Sequence, residues 1–114
     1  MKRYCLALDL VNDKEKIAAY ERYHQQVWPG IISSIRNAGI EQMEIYRFGN
    51  RLFMIMEVTA AFSFEQKASD DLANEKVQEW EQLMWEYQQA IPGTPAGGKW
   101  VLMDKIFSLA DQVE

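Results

Sequence analysis

The chain has 114 residues, the length of one ordinary domain, and its 48% apolar and 25% charged residues are typical of a globular protein. Its net charge of −5 and its scattered basic residues argue against nucleic-acid binding, which needs clustered Lys and Arg. The single cysteine, Cys5, excludes an internal disulfide and favours the cytoplasm, and no apolar run reaches the ~18–20 residues of a membrane span.

The first third of the chain predicts one strand and two helices. Residues 4–10 alternate in size and polarity with the period of two that is typical of a strand. Asn12 is a suitable N-cap for a helix over about 13–27. Pro29 ends or kinks that helix, and it can also begin a second helix over about 30–37.

A β-hairpin follows the second helix. Gly39 is the natural stop for that helix, and residues 41–48 and 51–58 then predict two strands. The pair Gly49-Asn50 between them is typical of a tight hairpin turn. Both faces of the second strand are mostly apolar, so we expect that strand to be central in the sheet.

The last third of the chain predicts helix, loop and strand. Residues 63–90 are helical by pattern, with a possible break near 69–71. An apolar stripe at steps of three and four comprises Val77, Trp80, Met84, Tyr87 and Ile91. Residues 91–98 form a loop by composition, residues 100–107 predict a last strand, and the polar tail 108–114 is expected to fray.

The order βαββαβ predicts a single α+β domain, 1–114, with the ferredoxin-like arrangement of an antiparallel sheet and helices on one face. The first strand leaves open which of its faces the helices cover, because both alternating sets contain apolar residues. The uncovered face would be a sizeable apolar patch, which favours an interface. We therefore expect a homodimer, an α/β barrel of two sheets packed face to face, with a pocket between each sheet and its first helix.

One helical face carries the residues best suited to chemistry. Ile17, Tyr20, His24 and Trp28 are spaced at three or four residues. Imidazole exchanges protons near neutral pH, and aromatic rings and hydroxyls suit a sugar. The alternative is that His24, the single histidine, is a partly buried residue that only hydrogen-bonds a neighbour.

Other candidate groups are ambiguous or absent. Glu57 could hold His24 in one tautomer, bind a sugar hydroxyl, or be a surface carboxylate. Trp80 is expected in the core or in a pocket wall. One His and one Cys far apart give no zinc spacing, and Gly97-Gly98 lacks the helix and lysine of a phosphate loop, so we expect neither metal nor cofactor.

Several motifs follow one another in a fixed order. They are Tyr20-x3-His24-x3-Trp28-Pro29, Gly39, Ile45-Tyr46, Asn50-x-Leu52-Phe53-x3-Glu57, Val77-Gln78-x-Trp80, Met84 and a final strand ending near Phe107. With these motifs the chain resembles the L-rhamnose mutarotases and their L-fucose-acting relatives from about residue 3 to residue 108. The resemblance implies a ferredoxin-like dimer that interconverts sugar anomers.

The resemblance also implies roles for particular residues. His24 matches the histidine acid of the family, Tyr20 matches its substrate-binding tyrosine, and Trp80 matches the first of two tryptophans that line the sugar site. Two positions differ from the family pattern. Glu81 occupies the position of the second tryptophan, and Met43 occupies that of another substrate-contacting tyrosine in the rhamnose enzymes. These differences leave both L-rhamnose and L-fucose open as substrates.

The functional hypothesis is therefore a mutarotase for a 6-deoxy-L-hexose, working by acid–base ring opening and reclosure. His24 is the expected catalytic group, and the expected sugar ligands are Tyr20, Trp28, Tyr46, Trp80 and Glu57. Two alternatives share the fold: a dimeric oxygenase with a bound aromatic substrate or haem, and a non-catalytic sugar-binding module.

Overall fold

A computed structural model describes residues 2–113 as an antiparallel sheet with helices on one face. The elements in chain order are β1 (Lys2–Leu10), α1 (Lys14–Gln25), α2 (Pro29–Asn37), β2 (Ile40–Phe48), β3 (Arg51–Val58), α3 (Phe64–Leu72), α4 (Glu75–Trp85), β4 (Gln88–Gln89), β5 (Val101–Leu102) and a 3₁₀ turn at Leu109–Asp111. No helix within this described part of the chain is long and apolar enough to cross a membrane.

The strand order confirms the ferredoxin-like prediction. The sheet runs β2-β3-β1-β4, and β5 also pairs with β1. The two short strands share one edge of β1, where Gln89 lies opposite Asp9 and Val101 lies opposite Ala7. At the turn of the predicted hairpin, Gly49 has a φ of 60°, a left-handed conformation that favours glycine.

The sheet has one covered face and one open face. Leu8 and Leu10 of β1 and Leu52 and Val58 of β3 are buried beneath the helices. Because side chains alternate along a strand, the odd-numbered residues of β1 and β3 point to the other face. This settles the choice that the sequence left open: the set containing Leu8 is covered, and the set containing Ala7 is on the open face.

The first helix is shorter than the sequence predicts. Its N-cap is Asp13, whose carboxylate accepts a hydrogen bond from the Lys16 amide at 2.9 Å, so the prediction of Asn12 was wrong by one residue. The helix ends at Gln25, and Trp28 is extended with φ −53° and ψ 134°. Trp28 precedes Pro29, which disfavours the helical conformation at that position. Trp28 therefore lies outside the helix that carries His24.

The second helical region divides later and ends earlier than predicted. The break lies at residues 73–74, where Asn74 caps α4 by accepting from two amides, and not at 69–71. The helix ends at Trp85, and the Tyr87 carbonyl accepts a hydrogen bond from the Val11 amide at 2.8 Å. Sheet pairing at Gln88–Gln89 thus replaces the helix that the apolar spacing predicted.

The last strand is much shorter than the predicted 100–107. Pairing with β1 is confined to Val101–Leu102 and one further bond from the Met103 amide to the Cys5 carbonyl at 2.8 Å. Apolar alternation predicts extended backbone but does not identify a hydrogen-bonding partner. Beyond that bond Ile106 is 97% exposed, so this chain provides no core for it.

Candidate active site

Tyr20 and His24 form the centre of the candidate site on α1. They lie one turn apart, as the sequence predicts, and their ring centroids are 4.3 Å apart with a tilt of 32°. Tyr20 is buried in the core beneath the helices, whereas His24 is half-buried. The imidazole therefore lies at the border between the core and solvent, where a ligand can reach it.

The backbone of α1 fixes the tautomer of His24. The Nδ1 atom lies 2.8 Å from the Tyr20 carbonyl oxygen, which can only accept, so Nδ1 carries the proton. Burial lowers the pKa of His24 below its ordinary value, and the bond to the carbonyl opposes this in part. Near neutral pH the ring is therefore uncharged, and Nε2 presents a lone pair that can accept a proton.

The hydroxyl of Tyr20 has a partner from the sheet. The side-chain amide of Gln88 on β4 donates to it at 3.2 Å. Burial is the main cause that raises the pKa of Tyr20 to about 12; the Gln88 hydrogen bond lowers it and the charge of Glu81 raises it. The phenol thus keeps its proton at ordinary pH and can donate a hydrogen bond. No sequence pattern pointed to Gln88, because it lies 68 residues from Tyr20.

Two tryptophans form a wall next to the imidazole. The Trp80 ring lies 5.6 Å from the His24 ring and 5.0 Å from the Trp28 ring, in edge-to-face geometries of 64° and 71°. Trp80 is buried on α4, and Trp28 is half-buried. Of the six residues predicted for the site, the structure thus brings four together: Tyr20, His24, Trp28 and Trp80.

An ion pair occupies the position where the resemblance implies a second tryptophan. Glu81 follows Trp80 on α4, and its carboxylate pairs with the ammonium group of Lys99. The same ammonium group lies 4.9 Å from the centre of the Trp85 ring. The Lys99 side chain is only 14% exposed, whereas that of Glu81 is 43% exposed, so a partly exposed charge pair lies next to the aromatic residues of α4. No sequence signal had identified Lys99.

Tyr46 and Glu57 lie away from this cluster, on the open face of the sheet. Glu57 pairs with Arg3 at 3.4 Å, and the Tyr46 hydroxyl donates to Glu44 at 3.3 Å. The sheet separates both from the helix that carries His24. The interpretation of Glu57 as a partner that fixes the His24 tautomer is therefore wrong within this chain, since the Tyr20 carbonyl has that role.

A shallow cleft of about 410 Å³ lies between α1 and the β2–β3 hairpin. Its lining includes Ile17, Glu21 and Arg47, and it does not include His24 or Tyr20. The cleft beside the first helix therefore does not coincide with the cluster around His24. Within residues 2–113 no three His, Cys, Asp or Glu side chains are grouped to hold a metal ion.

A ferredoxin-like domain with an imidazole, a phenol and two indoles clustered beneath its helices has the features of a small sugar-acting isomerase. The model of the L-rhamnose mutarotase family matches residues 3–109. An L-fucose mutarotase of Xanthomonas campestris pathovar campestris is 43% identical over 99% of this chain and 92% of its own length. The chain therefore belongs to the L-rhamnose mutarotase family and is a mutarotase of the rhamnose and fucose type.

Solved structures support the same fold. The L-rhamnose mutarotase of Formosa agariphila superposes with a TM-score of 0.70 at 21% identity, covering 96% of this chain and 99% of that one. The tetracenomycin F2 cyclase of Streptomyces glaucescens superposes with a TM-score of 0.59 at 12% identity, covering 95% and 96%. At these identities the likeness concerns the fold alone, and the second neighbour shows that the fold also serves other chemistry.

Proposed function

We propose that the protein interconverts the α and β anomers of a 6-deoxy-L-hexose at the cluster around His24, with L-fucose as the favoured substrate and L-rhamnose as the other candidate. The observation that carries this proposal is the state of His24. Its Nδ1 donates a hydrogen bond to a carbonyl, its pKa is lowered by burial, and its Nε2 has no hydrogen-bond partner within residues 2–113. Such an imidazole is prepared to take a proton from a hydroxyl group.

The chemistry needs one proton to move between two neighbouring oxygens. Nε2 of His24 removes the proton of the anomeric hydroxyl, the bond from C1 to the ring oxygen breaks, and the ring oxygen takes the proton from the imidazolium. The open aldehyde turns about its C1–C2 bond, and the reverse steps close the ring on the other face. Since both oxygens are bonded to C1, one imidazole can serve both, and no net proton is gained or lost.

The neighbouring groups support binding and orientation. Tyr20 stays protonated and can donate a hydrogen bond to the oxygen on which negative charge develops. Trp28 and Trp80 offer apolar ring surface against the C–H face of a pyranose. The proposed site does not include Tyr46 and Glu57, the other two sugar ligands that the sequence predicted, because they lie on the open face.

L-Fucose is proposed first for two reasons. The curated relative with 43% identity over nearly the whole chain is named an L-fucose mutarotase. In addition, the Glu81–Lys99 pair replaces apolar ring surface by charged hydrogen-bonding groups at the edge of the site. A change from indole to carboxylate alters which sugar hydroxyls can be bound, because a carboxylate accepts hydrogen bonds from hydroxyl groups and an indole ring offers an apolar face.

Anomer exchange measured by saturation-transfer NMR tests the function. L-Fucose and L-rhamnose are compared side by side with wild-type protein and with His24→Asn. We expect wild type to accelerate exchange of L-fucose most, and the variant to accelerate neither sugar. Binding of either sugar without faster exchange in wild type would replace the enzyme by the sugar-binding module. The family match gives no support to the oxygenase alternative.

We also propose a cytoplasmic homodimer formed through the open face of the sheet. On this face Phe48 of β2 is 90% exposed, and Tyr46 is exposed beside it. Past Met103 the chain leaves its own sheet with Ile106 and Phe107 exposed. A second copy of the chain would bury these side chains, and burial of such apolar surface favours association. The single free thiol, Cys5, is compatible with a reducing compartment.

A further inference from the structure

Gln88 is a buried polar side chain that forms one side-chain hydrogen bond and leaves its other polar atom without a partner. Its contribution to the stability of the fold does not explain why it is a glutamine. It is only 6% exposed, and its Nε2 donates to the Tyr20 hydroxyl at 3.2 Å. Its Oε1 is fully buried and has no hydrogen-bond partner among the described residues. A buried acceptor without a partner costs free energy, and such groups are rare in native proteins.

The backbone around Gln88 holds this side chain in place. Gln88 pairs with Leu10 at the edge of β1, and the preceding carbonyl of Tyr87 accepts from the Val11 amide at 2.8 Å. Opposite residues of an antiparallel pair point to the same face, so Gln88 lies on the covered face with Leu10. Its amide therefore reaches Tyr20 from the sheet side.

The direction of this hydrogen bond decides what Tyr20 can do. A phenol oxygen that accepts from Gln88 keeps its own proton free for a third group. If the amide were turned, its oxygen would accept the Tyr20 proton and its NH₂ group would be left without an acceptor. The turned amide would leave both of its buried hydrogens unpaired, whereas in the observed arrangement one of them is donated to Tyr20 and Oε1 is the unpaired acceptor. A carbonyl oxygen tolerates this better than an N–H group.

We propose that Gln88 is a positioning residue for the mutarotase reaction, which donates to Tyr20 so that the Tyr20 proton points at the sugar. The inference rests on the proposed function at His24 and Tyr20 and goes beyond it by explaining how the phenol is oriented. It also explains the orphaned acceptor, since a group retained for orientation need not stabilise the fold.

Two substitutions separate positioning from a structural role. Gln88→Met keeps the approximate shape and removes both the donor and the orphaned acceptor. The loss of the hydrogen bond to Tyr20 and the removal of the orphaned acceptor have opposite effects on stability, so we expect the unfolding temperature to stay close to that of wild type. Gln88→Glu has the same shape, but its carboxylate can only accept, which reverses the hydrogen bond once it is ionised. Gln89→Glu is the matched control, because Gln89 is exposed and paired with Asp9 of the open face.

Anomer exchange and thermal unfolding are measured for each variant, together with Tyr20→Phe and the double variant Tyr20→Phe/Gln88→Met. We expect Tyr20→Phe and Gln88→Glu to lose about tenfold in kcat each, as for one hydrogen bond, with Gln89→Glu unchanged. The double variant should be no slower than Tyr20→Phe, since Gln88 acts only through that hydroxyl.

Wild-type rates in both Gln88 variants, or a Gln88→Met loss that multiplies that of Tyr20→Phe, would overturn the inference. A loss of kcat in Gln88→Met that merely follows a lower unfolding temperature would also overturn it, as a structural role predicts. His24→Asn in the same assay distinguishes failure of the proposed function from failure of the positioning role of Gln88. If that variant is inactive while the Gln88 variants are not, the proposed function stands and only the positioning role fails.

Discussion

The two faces of the sheet carry similar residue types in different surroundings. Beneath the helices, Tyr20 is 3% exposed, and its phenol contacts the His24 imidazole and the Gln88 amide. The negative charge of Glu81 also acts on it. On the open face, the phenol of Tyr46 is exposed and bonds only to Glu44. Burial raises the pKa of the Tyr20 phenol to about 12. Residue type alone therefore does not locate the site; the covering helices do.

The largest expected effect contrasts the two faces directly. His24→Asn keeps a side-chain donor for the Tyr20 carbonyl but removes Nε2, so we expect about a 10²–10⁴-fold loss in kcat/KM for L-fucose. Glu57→Gln on the open face serves as the comparison and should change the rate less than twofold, because the sheet separates Glu57 from His24 and its only ion pair is with Arg3 at the surface. Both are measured by saturation-transfer NMR.

That contrast can also fail in an informative way. If Glu57→Gln slowed exchange as strongly as His24→Asn, the sugar would have to contact the open face. The assignment of the site to the helix-covered face would then be wrong, and the sequence-based prediction of Glu57 as a sugar ligand would be the better one.

The pH profile tests the protonation state that burial imposes on the covered face. Burial lowers the pKa of His24, so the neutral ring that the proposed mechanism requires predominates at neutral pH. We expect kcat/KM to be constant above the ordinary histidine pKa of about 6.5 and to fall about tenfold per unit below the lowered one. After subtraction of the exchange in buffer alone, a rate that rises as the pH falls would indicate that the imidazolium is the reactive form.

A smaller effect concerns the edge of the site. Glu81→Trp restores the aromatic residue that the rhamnose enzymes are expected to have, and it breaks the pair with Lys99. We expect the ratio of kcat/KM for L-fucose over L-rhamnose to fall by about 10-fold, the scale of one changed polar contact. Glu79→Gln on the exposed side of α4 is the control, and an unchanged ratio in Glu81→Trp would remove this pair from sugar selection.

The open face should affect assembly and leave the chemistry nearly unchanged. Phe48→Asp places a charge where the proposed dimer buries a ring, so we expect analytical ultracentrifugation to show a shift from dimer to monomer. Exchange of L-fucose should stay within about twofold of wild type, because His24 and its contacts lie on the other face. A monomeric wild-type protein would contradict the dimer, and loss of activity in the monomer would show that a partner completes the site.

The sequence predicted the parts of the fold that depend on local signals. The hairpin could be predicted because two runs with strand-like patterns meet at Gly49-Asn50, a pair that suits a tight turn. The end of α4 was not visible, because Tyr87 continues the apolar helical spacing while its carbonyl bonds to Val11 across the chain. Here a tertiary hydrogen bond outweighs a local pattern, and no local rule contains that information.

The candidate site divides in the same way. Tyr20 and His24 share one helical face and could be paired from their spacing alone. Gln88 and Lys99 reach the site from distant segments, so no spacing pointed to them. The sequence could also not decide which face of the sheet the helices cover, so it could not place Glu57 on the face opposite His24.

Two short strands pair with the same edge of β1, and this arrangement determines where the chain can accept insertions or deletions. Gln88–Gln89 and Val101–Leu102 each attach to β1 independently, so the segment between them is a surface loop fastened at both ends. The Lys99–Glu81 pair ties its last turn to α4. Insertions or deletions around residues 92–97 would leave the sheet ladder intact, since long surface loops cost little extra closure entropy. This loop is therefore the natural place for an affinity tag, a label or a transplanted sequence.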